Sequence, residues 1–209
     1  GNCLEPAPVA PAVDDDDSTA GDPCLEPFDV SAIPPPANPY SGHLHLYDRA
    51  DLEWFCAEWD GVDGNLEVGG TEAPGGGPVE NDIDDLAALD CLVDVSGYFF
   101  VGGNAVLERF ELPALRHVGS SGAGSLSVVL NGAIQRLSAP ALQAIGGDLS
   151  VQGNPSLERL ELPALRRVGL NVYIANNASL PSAGAEELVA GICPDRIGGS
   201  VNITGNAAR

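Results

Sequence analysis

A unit of about 23 residues, closed each time by an asparagine, recurs through the second half of the chain and leaves few folds open to it. Registered on the aliphatic residue three positions before that asparagine, the pairs are Val101/Asn104, Val128/Asn131, Val151/Asn154, Ile174/Asn177 and Ile203/Asn206. The steps between them are 27, 23, 23 and 29 residues, with a degenerate earlier copy at Leu66–Val68. Self-similarity at this period marks a leucine-rich-type solenoid, in which no unit buries its apolar edge alone and stacked units share one core.

Each unit carries two apolar segments. The first reads Gly-x-aliphatic-x-aliphatic, at Gly64–Val68, Gly97–Val101, Gly124–Val128, Gly147–Val151 and Gly199–Ile203; Leu170–Ile174 lacks the glycine. Alternation over four or five residues predicts a strand with one buried face. The second runs through Leu107, Phe110, Leu112, Leu115 and Val118, echoed from Ile134 and from Leu157, with Pro113, Pro140 and Pro163 at one fixed position. A proline there fits a corner, because it donates nothing to a ladder. The asparagines Asn104, Asn131, Asn154, Asn177 and Asn206 are read as structural: Asn carries donor and acceptor together and can satisfy the amides of a backbone that turns sharply once per rung.

The string CAEWDGVDGNLEV (Cys56–Val68), followed by GYFFVGGN, GDLSVQGN and GSVNITGN, resembles the receptor L domain. That is the β-helix domain of insulin and EGF receptor ectodomains and of secreted bacterial and fungal surface proteins. The resemblance covers about residues 45–206. It implies an all-β, right-handed β-solenoid of about six rungs with an N-terminal capping helix, and a Cys24–Cys56 disulfide stapling that helix before the first rung. Cys56–Cys91 is the alternative, since both cysteines precede a strand glycine at similar offsets. Cys91–Cys193 is excluded by a separation of about four rungs, roughly 19 Å, where bridged Cα atoms lie within about 7 Å. No cysteine-rich module follows the repeats, so a receptor's hormone-binding role does not carry over.

Residues 1–23 are Pro- and Ala-rich with an Asp14–Asp17 run, and predict an extended tether. Cys3 at its head is a candidate lipid-attachment site. Residues 24–209 form the solenoid domain, with a capping segment at 24–60 and rungs at 61–209. Within the capping segment, Asp48–Trp59 reads as a helix, with Asp48 as N-cap and Leu52, Phe55, Cys56 and Trp59 on one face. His43 and His45 share one side of a short strand; without a third ligand at a readable spacing they predict an exposed face rather than a metal centre. Gly69–Asp85 must leave the solenoid as an acidic loop, and Ser182–Ile192 reads as a short inserted helix.

The charge is lopsided. Thirty acidic residues face nine Arg and no Lys, for a net charge of −21, which removes any electrostatic footprint for nucleic acid. The absence of Lys excludes P-loop and Schiff-base chemistry, and no stretch is long and apolar enough for a membrane span. A β-helix polysaccharide enzyme would need paired carboxylates. The outward Glu67 and Asp148 lie three rungs apart, roughly 14 Å, wider than the 5–9.5 Å or so of glycosidase pairs. Arg109, Arg136 and Arg159, with Glu111 and Glu161 two residues on, predict a surface charge ladder.

The functional expectation is therefore a non-catalytic, cofactor-free, exported binding or adhesion module at the cell surface, with a protein or glycan as partner. A structural envelope protein without a dedicated ligand is the alternative. The candidate ligand surface is the outward face of the first sheet, through Tyr98, Phe100, Val129 and Tyr173, where aromatics interrupt Ser and Asn; the alternative is that the Gly69–Asp85 loop or the tether folds over these residues and makes them a satellite core.

Overall fold

The computed structural model describes Cys24, residues 26–70 and residues 82–208. Sixteen short strands wind through three parallel sheets as a solenoid of about five turns. The seven-stranded first sheet has the order β16-β15-β12-β9-β6-β4-β2, with β2 at Leu44–Leu46, β4 at Leu66–Gly69, β6 at Phe99–Gly102, β9 at Leu126–Val129, β12 at Leu149–Gln152, β15 at Val172–Ala175 and β16 at Val201–Thr204. The six-stranded second sheet runs β1-β3-β5-β8-β11-β14, from β1 (Pro39–Ser41) and β3 (Gly61–Asp63) through the two-residue strands β5 (Asp94–Val95), β8 (His117–Val118), β11 (Ala144–Ile145) and β14 (Arg167–Val168). The third sheet holds β7 (Arg109–Glu111), β10 (Arg136–Ser138) and β13 (Arg159–Glu161). The second apolar segment of each unit is thus two strands, of the third and second sheets, divided at the proline corner.

Alternation in the first sheet builds the core directly. Leu66, Phe99, Leu126, Leu149 and Val172 are in register, and so are Val68, Val101, Val128, Val151 and Ile174. All ten are fully buried. Where the second sheet turns into the first, glycines stack because nothing larger fits: a Cβ on Gly169 would lie 2.0 Å from the carbonyl oxygen of Gly146.

The asparagines make one continuous ladder at the opposite corner. Each side-chain oxygen accepts the main-chain N–H of the preceding asparagine, at 3.2, 3.0, 3.1 and 3.1 Å from Asn104 to Asn206. Each Nδ2 donates to a carbonyl of the preceding rung, as Asn154 does to Val128 at 3.0 Å. Asn104, Asn131, Asn154 and Asn177 are wholly buried.

The N-terminal region departs from expectation three times. The ladder begins earlier than residue 61: β1 and β2 already pair with β3 and β4. The helix over Asp48–Trp59 is broken at Trp54 into α1 (Arg49–Glu53) and α2 (Phe55–Glu58). Asp48 caps α1 by accepting from the Asp51 N–H at 2.9 Å, and Leu52 and Phe55 are buried over the end of the core. Third, the Cys24–Cys56 bridge does not form. Cys56 joins Cys91, and Cys24 joins Cys193 across 169 residues of sequence.

The reason lies in the path of residues 26–38. This segment runs as a strap along the outer face of the second sheet, from the last turn to the first. Phe28 stacks on Arg196, whose guanidinium also donates to the Glu26 carbonyl. Val30 lies beside His117, Ala144 and Arg167. Pro36 occupies the space that a side chain at Gly61 would fill, 2.7 Å from such a Cβ. Asp60 then receives the Ala37 and Asn38 N–H groups at 2.8 and 2.7 Å. Cys24 is therefore placed at the far end of the molecule from Cys56. Near that end, α3 (Ser182–Ala190) occurs where the short helix was expected.

Candidate functional site

Strand pleating assigns the outward side chains of the first sheet to parallel rows running along the solenoid. One row is His45, Glu67, Phe100, Ser127, Ser150, Tyr173 and Asn202. A second, at the entry to each strand, contains Asn65, Ser125, Asp148 and Asn171. Its side chains are consumed by the scaffold, each accepting the main-chain N–H one rung on: Tyr98 to Asn65 at 3.0 Å, Asp148 to Ser125 at 2.9 Å, Asn171 to Asp148 at 2.8 Å and Ser200 to Asn171 at 2.9 Å. Asp148 is thus a structural acceptor.

Phe100 sits in that row in a way its neighbour Gly102 permits. A Cβ on Gly102 would come within 2.3 Å of Phe100 Cζ, so the ring lies along the sheet with its tip over the glycine. Phe100, Tyr173, Val129 and Tyr98 are all half-buried, with part of each surface open. Val129 is diagonal to Phe100, across from Gly102. Tyr173 is three strands further on, about 14 Å from Phe100, and the short side chains of Ser127 and Ser150 lie between them. The structure thus places three of the four candidate residues on the outward side of one sheet, Phe100 and Tyr173 in one row and Val129 beside it. Tyr98 belongs to a different group.

That group forms at the first turn. The Tyr98 hydroxyl donates to Glu67 Oε1. Burial, reinforced by the hydrogen bond to Glu67 and the charge of that carboxylate, pushes the Tyr98 phenol up to about 12, so it stays protonated and donating at neutral pH. His45 Nε2 lies 2.6 Å from the Gly69 carbonyl, which only accepts; the proton is therefore on Nε2, and Nδ1 faces Glu67 Oε2 at 3.4 Å. His43 Nε2 is 3.7 Å from Glu67 Oε1. Glu67 thus accepts from Tyr98 and has His43 and His45 beside it, next to Phe100 in the same row. Among the described residues no group of three or more His, Cys, Asp or Glu side chains is placed to hold a metal ion. The signal for this cluster was in the sequence: Gly42-His43-Leu44-His45-Leu46 fits the Gly-x-aliphatic-x-aliphatic template and predicts a strand in register with Leu66–Val68.

The other two faces are differently employed. On the second sheet the strap shields Asp94 and His117, which are 6% and 7% exposed. Burial raises the Asp94 carboxyl, offset by the Ser120 hydroxyl donating at 2.8 Å and reinforced by Asp63. Burial lowers the His117 imidazole. The third sheet carries the charge ladder: Arg136 reaches Glu161 at 2.5 Å and Glu111 at 3.8 Å. A concavity of about 560 Å³ lies beyond β13, where α3 stands in place of a further strand; Leu160 and Leu188 line it, and Arg159, Glu158 and Glu187 ring it. It is set apart from the first-sheet rows.

Cys3 and most of the acidic loop, residues 71–81, lie outside the described residues, as does the tether at 1–23. Among the described residues no helix is long and apolar enough to cross a membrane. No family model, curated protein or solved structure matches the chain, so its fold class, a parallel β-solenoid, rests on its own geometry.

Proposed function

We propose that this chain is a non-catalytic, exported binding module of the receptor-L-domain type, and that it presents the central row of its first sheet to a protein or glycan at the cell surface. The observation that carries this reading is the aromatic row: Phe100, seated over Gly102, shares one outward row with Tyr173 across Ser127 and Ser150, and part of each ring's surface is exposed. Two disulfides support an oxidising compartment. A binding role is favoured over catalysis because the two outward carboxylates belong to different rows, with Asp148 engaged by both the Asn171 N–H and Nδ2 at 2.8 and 2.9 Å. Attachment through Cys3 fits the same reading.

The test compares wild-type protein with Tyr98→Ser/Phe100→Ser for binding to envelope material of the source cells. Loss of binding with a nearly unchanged melting temperature is the expected result. Equal binding by both proteins overturns the assignment of the face, and a large fall in melting temperature shows that the two rings belong to the scaffold.

A further inference from the structure

We infer that the ligand of this face is an uncharged glycan chain lying along the solenoid axis, one sugar unit per rung, with units stacked on Phe100 and Tyr173. The inference rests on the binding-module reading and narrows it to one chemistry.

Spacing is the first argument. Rungs repeat at about 4.8 Å, close to the advance of one hexose in an extended β-linked chain, so a glycan on this row stays in step with the side chains beneath it. Phe100 and Tyr173 are three rungs apart in strict register through Ser127 and Ser150. Two units three apart along one chain therefore meet two rings, and the two between them pass over hydroxyls. A pyranose has an apolar C–H face and a polar edge, which matches a ring flanked by short polar groups.

Chemistry along the row is the second argument. Beside Phe100, the Glu67 carboxylate is fixed by the Tyr98 hydroxyl and faces His45 Nδ1 at 3.4 Å, an oriented acceptor for the hydroxyls of a ring stacked on Phe100. Beyond Ser150, the Gln152 amide is held by the Ser150 hydroxyl at 2.7 Å. A carboxylate, hydroxyls and an amide in fixed positions suit a polyhydroxylated edge.

Charge excludes the acidic glycans. None of the seven strands of the first sheet carries an Arg, the chain has no Lys, and its net charge is −21. A uronate or sulfated chain would meet repulsion with no compensating pair. A peptide partner finds little apolar purchase, because the exposed large hydrophobic residues Trp54, Val106, Leu130, Leu170 and Val201 all lie off this row, Val201 at the end strand of the sheet.

Affinity electrophoresis tests this with the whole chain, in native gels containing hydroxyethylcellulose, laminarin, glycol chitin, a mannan or, as the anionic control, polygalacturonate. Retardation by at least one uncharged polymer, unchanged at high ionic strength and absent with polygalacturonate, is the expected result. Phe100→Ala/Tyr173→Ala should reduce the retardation at least tenfold in apparent affinity, Ser127→Arg should block it by standing in the row between the two rings, and Phe100→Trp should keep it. No retardation by any uncharged polymer overturns the glycan inference; if Tyr98→Ser/Phe100→Ser still loses binding to envelope material, the face stands and its ligand is a protein. Retardation that survives in both Phe100→Ala/Tyr173→Ala and Ser127→Arg overturns the inference and the assignment of the face together.

Discussion

Replacing Asn154 by Ala tests the claim that the asparagine ladder is the seam of this solenoid. Asn154 Oδ1 accepts from the Asn131 main-chain N–H at 3.0 Å and from Asn131 Nδ2 at 3.2 Å, and its Nδ2 donates to the Val128 carbonyl at 3.0 Å and to Asn177 Oδ1 at 3.3 Å. Asn131 Nδ2 keeps two other partners, the Val101 and Val129 carbonyls. The Asn131 N–H has no such substitute, and water cannot reach it. An orphaned buried donor costs about 1–3 kcal/mol, and each net hydrogen bond lost adds roughly 1 kcal/mol. The sum is about 3–5 kcal/mol, a large share of the 5–15 kcal/mol or so that holds a domain together.

The control is Asn206→Ala at the open end of the same ladder. Asn206 accepts from the Asn177 N–H at 3.1 Å and donates to the Ile174 carbonyl at 2.8 Å, but it is only half-buried. Water can take its place there, and the loss should stay near 1 kcal/mol. Urea unfolding at pH 7, read by midpoint at constant slope, measures both. Asn154→Asp adds a sign. The aspartate keeps the acceptor but sets an anionic oxygen against the Val128 carbonyl, so its folded-state pKa must be raised. The fold then binds the proton more tightly than the unfolded chain, and the variant should recover stability as pH falls. Equal losses for Asn154→Ala and Asn206→Ala, or a loss below about 1 kcal/mol for Asn154→Ala, would refute the reasoning.

Two further outcomes follow from the strap. Cys24→Ser/Cys193→Ser releases a cross-link spanning 169 residues, which loop entropy values at up to about 5 kcal/mol; the unfolding midpoint should fall steeply and limited proteolysis should cut within residues 26–36 first, whereas an unchanged midpoint would show that the strap is held without the bridge. His117 has its imidazole lowered from 6.5 by burial, so below about pH 6.5 the unfolded chain takes up a proton that the fold resists. Wild type should lose stability from that pH downwards relative to His117→Gln, and parallel stability profiles of the two from pH 7.5 to 5 would count against it.

What the sequence made legible was whatever repeats in register. The first sheet follows from alternation at Gly64–Val68, Gly97–Val101, Gly124–Val128 and Gly147–Val151, and the ladder from the asparagine three residues on. The first turn escaped because that asparagine is missing from it: three positions after Leu46 stands Arg49, and α1 with its Asp48 cap closes the turn instead. With β2 unplaced, His43 and His45 had no neighbour, and their approach to Glu67 and Tyr98 stayed hidden. The strap was illegible for a different reason. Proline-rich residues 26–38 have no period, and what they cover, Asp94 and His117, reads as polar surface. Pairing of Cys24 with Cys193 depends on that path and on nothing local, so offsets between cysteines could not find it.

The strap also bears on where a ligand can act. A three-sided solenoid offers three faces, and each rung contributes to all of them. Here the second face is occupied lengthwise by the chain itself, from Arg196 at one end to Gly61 at the other. The third is only three strands wide, and its Arg136 is already paired with Glu111 and Glu161. That leaves the widest sheet as the face whose outward row is in register over seven strands and not claimed by the scaffold. The division of labour within it is equally physical: the row at the strand entries satisfies the backbone, through Asn65, Ser125, Asp148 and Asn171, and so frees the central row to vary. A chain that commits one face to closing itself and one row to its own amides leaves Phe100, Ser127, Ser150 and Tyr173 as the residues to interrogate first for a ligand.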